Sequence, residues 1–274
     1  MTPHAPIKLN LLIFALLLTN FIKAQSNEKW DLYMARYENG PGTMLVNMGI
    51  KNSAPVSHLP FIVITGVTFQ GCDSSGFPKK GQFPELYALS DSVKKIITRG
   101  DQSMMVGTFT YQCQRLDYYY TNDTTNIRSA LNNLYNRSFA QFTPYTKIGV
   151  DKNWEAYLTF IYPNEETQEY MRNNKVIMKL QMSGDQLTKA RKVDHWLYFK
   201  TQADLNCMTA YVKGKNFVVE KTNKSKKTDF PFSLQISRED KVDIGSITAV
   251  TLELSRQAHN CKGEYDGWET FVIK

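Results

Sequence analysis

From Trp30 onward the chain alternates between runs with apolar residues at every second position and runs with apolar residues at every third or fourth. Residues 30–38, 43–52 and 59–71 read as strands, separated by the turn-forming stretches NGPG and SAPVS. A helix follows over 84–100, with Pro84 in its first turn and Gly100 at its end. Strands at 104–112 and 115–121 precede a helix over 124–139, where Ile127, Leu131 and Leu134 recur at helical spacing. Strands at 146–151 and 153–163 complete this half. Residues 164–185 are rich in charge and predict a helical connector, with Glu165 and Glu166 suited to its first turn.

The second half gives strand 193–200, helix 203–215, strands 217–223 and 230–239, helix 243–261 and strand 268–273. That β-α-β-β-α-β order is the ferredoxin-like arrangement, in which two helices cover one face of the sheet and leave the other open unless something docks there. The expected fold class is α+β, with two domains at 30–163 and 186–274. The first is an antiparallel-rich sheet with two helices, readable as an extended ferredoxin-like unit. In the last helix Ile244, Ile247, Leu254, Ala258 and Cys261 share a stripe, with Val250 or Thr251 filling the gap. The helix before it offers the small-residue stripe Ala203, Cys207, Ala210 and Gly214. Antiparallel packing of the two makes Cys207 and Cys261 neighbours.

The densest chemistry lies in VDHWLYF, residues 193–199. Alternation puts Val193, His195, Leu197 and Phe199 on one face of this strand and Asp194, Trp196, Tyr198 and Lys200 on the other. His195 keeps apolar company and reads as a core or interface histidine. Trp196 and Tyr198 fall on the open face if the helices cover His195. There they would anchor a partner or stack bases, unless the first domain or the 164–185 helix packs over them. Substitution of either His195 or Trp196 is expected to act mainly on stability. The stretch GEYDGWE reads as a turn at Asp266 and Gly267 with Trp268 opening the edge strand.

The N-terminus changes the compartment. A cationic start, the fourteen-residue run LNLLIFALLLTNFI and a small residue before Gln25 form the pattern of a secretory signal over residues 1–24, with a mature start at Gln25. The apolar run is shorter than the ~20 residues that span a bilayer. The expected location is therefore periplasmic or secreted, as a soluble protein, with an uncleaved N-terminal anchor as the alternative. Loss of Lys8 and Lys23 lowers the formal charge from +7 to +5, too small an excess to demand a nucleic-acid partner. The lysine-rich run 221–227 reads as a solvated hairpin tip.

Cys72, Cys113, Cys207 and Cys261 form no CxxC pair, and export raises two local disulfides, Cys72 with Cys113 and Cys207 with Cys261, against the alternative of four buried thiols that act as small apolar residues. Each closed loop would contribute about 4 kcal/mol. Gly-rich phosphate loops, GxSxG and HExxH are missing, and His58 and His259 stand apart. No cofactor, metal or catalytic residue is assigned.

Two resemblances bear on this. The N-terminal half, through WDLYMARYENGPGTMLVNMGIKNSAP, ELYALSDSV and NWEAYLTFIYP, resembles the bacterial family of domain of unknown function 695. The C-terminal half, through VDHWLYF, LQISRED, VTLELSRQAH and GEYDGWET, resembles the regulator of ribonuclease E activity B family. That second resemblance implies a ferredoxin-like domain that works by binding a protein, since cytosolic members bind ribonuclease E and inhibit it without catalysis. An exported protein does not meet that enzyme, so the fold and the habit of protein binding carry over and the partner does not. The expected function is a non-enzymatic interaction or regulatory module facing another envelope or extracellular protein, with Trp196 and Tyr198 as candidate contacts. The competing readings are a sheet that binds single-stranded nucleic acid or a polyanion, and an enzyme without a recognisable motif.

Overall fold

A computed structural model describes residues 28–98, 102–225 and 229–274. The expected signal segment, Gly100 and part of the 221–227 run lie outside the described residues.

The first sheet contains β1 (Trp30–Tyr37), β2 (Gly40–Asn47), β3 (Phe61–Thr68), β4 (Ser103–Tyr111), β5 (Gln114–Thr121) and β6 (Thr143–Val150). Helix α1 (Phe83–Ile97) links β3 to β4, and α2 (Ile127–Ser138) links β5 to β6. The strand order is β1-β2-β4-β5-β3-β6, with antiparallel neighbours throughout. The segment β3-α1-β4-β5-α2-β6 is itself a ferredoxin-like unit, and the β1–β2 hairpin extends its sheet beyond β4. On one face Leu86, Leu89 and Val93 of α1 and Leu131 and Tyr135 of α2 pack on Val63, Val67 and Tyr119.

The other face is covered by a segment expected as a strand. Residues 153–163 fold instead into a π-helical turn, Ala156–Ile161, which lays Trp154, Tyr157 and Ile161 on Met44, Val46, Tyr118 and Tyr120. Their spacing in the chain is helical, but a short aromatic and β-branched run has the same composition whether it is a buried strand or a buried helix. Asp151 decides the conformation locally: its carboxylate accepts from the Glu155 and Ala156 backbone N–H groups at 2.8 and 3.0 Å and from the Tyr120 hydroxyl at 2.6 Å. The Trp154 ring stacks on Tyr120 at 4.0 Å, and its Nε1 donates to the Leu59 carbonyl at 3.0 Å.

The second sheet contains β7 (Arg191–Phe199), β8 (Val218–Lys224), β9 (Phe232–Asp240) and β10 (Gly263–Glu269), in the order β10-β7-β9-β8. Helices α4 (Gln202–Lys213) and α5 (Ile244–Asn260) complete the ferredoxin-like unit. The last strand begins five residues earlier than the sequence pattern places it and ends before the apolar run Phe271–Ile273. Lys262 ends α5 with φ 57°, and Gly263 at once pairs with Phe199. A Cβ at residue 263 would sit 2.3 Å from the Phe199 ring, so only glycine lets the chain turn in so close. The tail beyond is held by backbone contacts, with Ile273 N–H donating to Asp185 Oδ2 at 2.8 Å.

Helix α3 (Glu165–Met182) occupies the expected connector and does more than connect. Asn164 caps it, accepting from Thr167 N–H at 2.8 Å. Ile177 and Leu180 pack with Val193, Val242, Ile247 and Trp268, which makes α3 a third helix on the helical side of the second sheet. In the other direction Met171 joins the core of the first domain, and Lys175 pairs with Asp31 of β1. The cysteines lie as Cys72–Cys113 and Cys207–Cys261, with Cα separations of 5.6 and 5.8 Å and Sγ atoms bonded in each pair.

Candidate interaction surface

Strand β7 separates two environments. Val193, His195, Leu197 and Phe199 are completely buried beneath the helices, as alternation requires. The His195 ring stands edge-on to Phe217 at 5.8 Å, and its Nδ1 lies 3.0 Å from the Tyr265 hydroxyl. Its Nε2 is buried with no hydrogen-bond partner among the described residues. Burial first, and the nearby Arg238 charge second, lower its pKa to about 3, so the imidazole is neutral at every physiological pH. The neutral ring is packed against Phe217 and Tyr265, 5.8 and 6.0 Å between ring centroids.

On the opposite face Trp196 and Tyr198 are partly exposed. Helix α3, which might have covered them, packs on the other side of the sheet through Ile177, Leu180 and Asn173. The register places Gln235 and Ser233 of β9 opposite Trp196 and Tyr198. Toward β8 the acids are paired: Lys192 pairs with Glu220 at 2.8 Å and approaches Asp194 at 3.6 Å, and Ser237 donates to Glu220 at 2.6 Å, while Lys221, opposite Gln235, is exposed with no ion pair among the described residues. The Lys200 ammonium stands 5.1 Å over the Phe230 ring.

Toward β10 the face is different. A β-bulge sets Asp266 and Gly267 together opposite Trp196, so the expected turn at these residues is a bulge inside the strand, and Trp268 lies near that strand's end. Gly267 has φ 156°, and a Cβ there would meet nothing within 4 Å. The missing side chain leaves an open depression of about 420 Å³ between Trp196, Tyr198, Asp266 and Glu269. Glu264 lies opposite Tyr198, and Glu269 opposite Asp194. Glu264, Asp266 and Glu269 are exposed and have no side-chain hydrogen bond or ion pair among the described residues. Sequence reading found the aromatic pair by parity and missed the acids, because the bulge that aims Asp266 at Trp196 is a property of strand pairing. The DG dipeptide inside GEYDGWE was its only trace.

Other sequence candidates are dispersed. His259 and Arg256 line a larger cleft, about 740 Å³, between α3 and α5, where Glu165 and Glu166 also lie and Arg172 is ion-paired to Glu169. His58 lies in the loop before β3, far along the chain from either cavity. Among the described residues no group of three or more His, Cys, Asp or Glu is arranged to hold a metal ion, and no helix is long and apolar enough to cross a membrane.

Comparison with known proteins follows the same division. Residues 28–162 match the model of the Family of unknown function (DUF695), and residues 171–270 match that of Regulator of ribonuclease activity B. The second match spans α3 from Met171 as well as the sheet, in keeping with α3 packing as part of that domain. Among solved structures, an unknown protein from Galdieria sulphuraria is 14% identical, with 78% of this chain and 99% of that chain covered and a TM-score of 0.22. A protein described as a glycine cleavage system transcriptional repressor is 13% identical, with 77% and 98% covered and a TM-score of 0.24. No curated protein matches the chain.

Proposed function

We propose that this chain is an exported, non-enzymatic interaction or regulatory module that docks a protein partner on the open face of its C-terminal sheet. The observation that carries this reading is the two-sidedness of β7: three helices seal the His195 face, and Trp196 and Tyr198 remain partly exposed on the other. Tryptophan and tyrosine on a flat, preformed surface are the side chains that most often dominate protein–protein binding. The match of residues 171–270 to a family described as a regulator supports the same class of function. Unpaired Glu264, Asp266 and Glu269 weigh against a polyanion on this face, since phosphate binding depends on Lys and Arg.

Export rests on the signal-like leader and agrees with the paired cysteines, which favour an oxidising compartment. The partner would then be another envelope or extracellular protein. Affinity capture from envelope extract with the wild type and with Trp196→Ala side by side tests the reading. A protein retained by the wild type and lost by the folded variant is expected, whereas equal retention by both removes the open face as the docking surface. Mass spectrometry of the protein recovered from its native compartment should find Gln25 as the first residue, and an intact leader would overturn export by cleavage.

A further inference from the structure

The depression beside Trp196 has a chemical polarity that narrows what fits it. One wall is aromatic, from Trp196 and Tyr198, and the rim on the β10 side carries Asp266 and Glu269, with Glu264 one pair further along. These carboxylates are exposed and unpaired among the described residues, whereas Asp194 and Glu220 on the β8 side are already met by Lys192. The formal charge of the whole chain is +7, so the local excess of acid stands against the global balance. An indole face beside free carboxylates attracts a cation twice, through the ring quadrupole and through charge, and repels phosphate and carboxylate ligands. The bulge at Asp266 and Gly267 leaves the space in which such a group would lie.

We propose that the open face receives a basic segment of a protein partner, with an arginine or lysine side chain lying on Trp196 and its charge met by Asp266 and Glu269. This inference rests on the docking reading above and specifies its occupant. Arginine suits the site better than lysine, because its planar guanidinium stacks on an aromatic face while its N–H groups remain free for carboxylates.

Labelled short peptides test it: one alternating arginine and serine, one alternating glutamate and serine, and a single-stranded oligothymidylate as the polyanion. Fluorescence anisotropy is measured against the full mature chain. The arginine peptide is expected to bind, and Trp196→Ala to weaken it about tenfold or more, with Trp196→Phe retaining much of the affinity. The pair Asp266→Asn with Glu269→Gln, at exposed positions that leave the core untouched, is expected to weaken binding about tenfold and to flatten its salt dependence. Circular dichroism of each variant confirms the fold. Arginine-peptide binding that is absent, or indifferent to these substitutions, overturns the proposal. Binding of the glutamate peptide or oligothymidylate through Trp196 overturns the cationic occupant and leaves a docking face. A protein captured through Trp196 in the extract experiment, with no affinity for the arginine peptide, likewise sinks only the occupant, so the two failures are distinguishable.

Discussion

The Trp268 indole donates its Nε1 hydrogen to Asn173 Oδ1 at 2.8 Å, joining the last strand to the helix between the two domains. The same amide donates from Nδ2 to Thr251 Oγ1 of α5 at 2.8 Å and to Thr248 Oγ1 at 3.1 Å. One buried side chain thus ties α3, α5 and β10 together, and α3 belongs to the helical layer of the second sheet.

Asn173→Ala would leave the Trp268 N–H in the interior without its acceptor and take from the Thr251 hydroxyl its donor, although that hydroxyl still donates to the Thr248 carbonyl at 3.3 Å. A loss of about 2 kcal/mol is expected from these lost hydrogen bonds, read as a lower midpoint in urea unfolding. A variant that unfolds like the parent would reduce α3 to a tether.

Asp185 and Arg191 form a buried ion pair, with Arg191 Nη2 donating to Asp185 Oδ1 at 3.0 Å. The carboxylate also accepts from Leu187 N–H and Ile273 N–H, each at 2.8 Å, and the hydrogen bond from Arg191 holds its pKa well below the usual carboxylate range. Asp185→Ala should cost about 3 to 5 kcal/mol by stranding a buried guanidinium. Replacing both partners with apolar residues should recover only part of this, because the two backbone N–H groups stay unpaired.

His195 predicts acid lability in a defined window. Its folded pKa is about 3, and the unfolded value is about 6.5. Between these values the unfolded chain binds the extra proton. This contribution to stability is therefore full above about 6.5 and is lost progressively as pH falls toward 3. On lowering pH from 7 to 5, His195→Phe should lose about 2 kcal/mol less stability than the wild type, provided the ring is accommodated. Parallel pH dependences in denaturant titrations would show that the buried imidazole is not the titrating group.

Trp196 and His195 should separate in thermal melts, although they are adjacent in sequence and carried the same expectation. His195 is completely buried. Trp196 is partly exposed, so Trp196→Ala should cost less than the ~3 to 5 kcal/mol of a fully buried tryptophan. A cost within that range would mean that the indole is packed as core.

Reduction should release four thiols from the two disulfides and destabilise the protein by up to about 4 kcal/mol per closed loop. Intact mass before and after reduction, paired with unfolding curves, measures both. Free thiols in protein from its native compartment would contradict the pairing.

Strand alternation in VDHWLYF was enough to separate His195 from Trp196, because the two-residue period of a β-strand is a local property of the backbone. The order of elements likewise gave the ferredoxin-like second domain, the extended first one and the proximity of Cys207 to Cys261. Tertiary structure alone decided the rest. Ala156–Ile161, inside the expected strand, became helical because Asp151 caps this turn and Trp154 stacks on Tyr120, contacts made by folding over the sheet. The last strand moved forward to Gly263 because residue 263 meets the Phe199 ring, sixty-four positions earlier in the chain. Helix α3 chose the helical side of the sheet through Asn173 and Trp268, leaving the aromatic face uncovered, and the bulge at Asp266 brought its charge beside Trp196. Local periodicity fixes which way a side chain points from its own element, whereas what it points at depends on pairing and packing between segments distant in sequence.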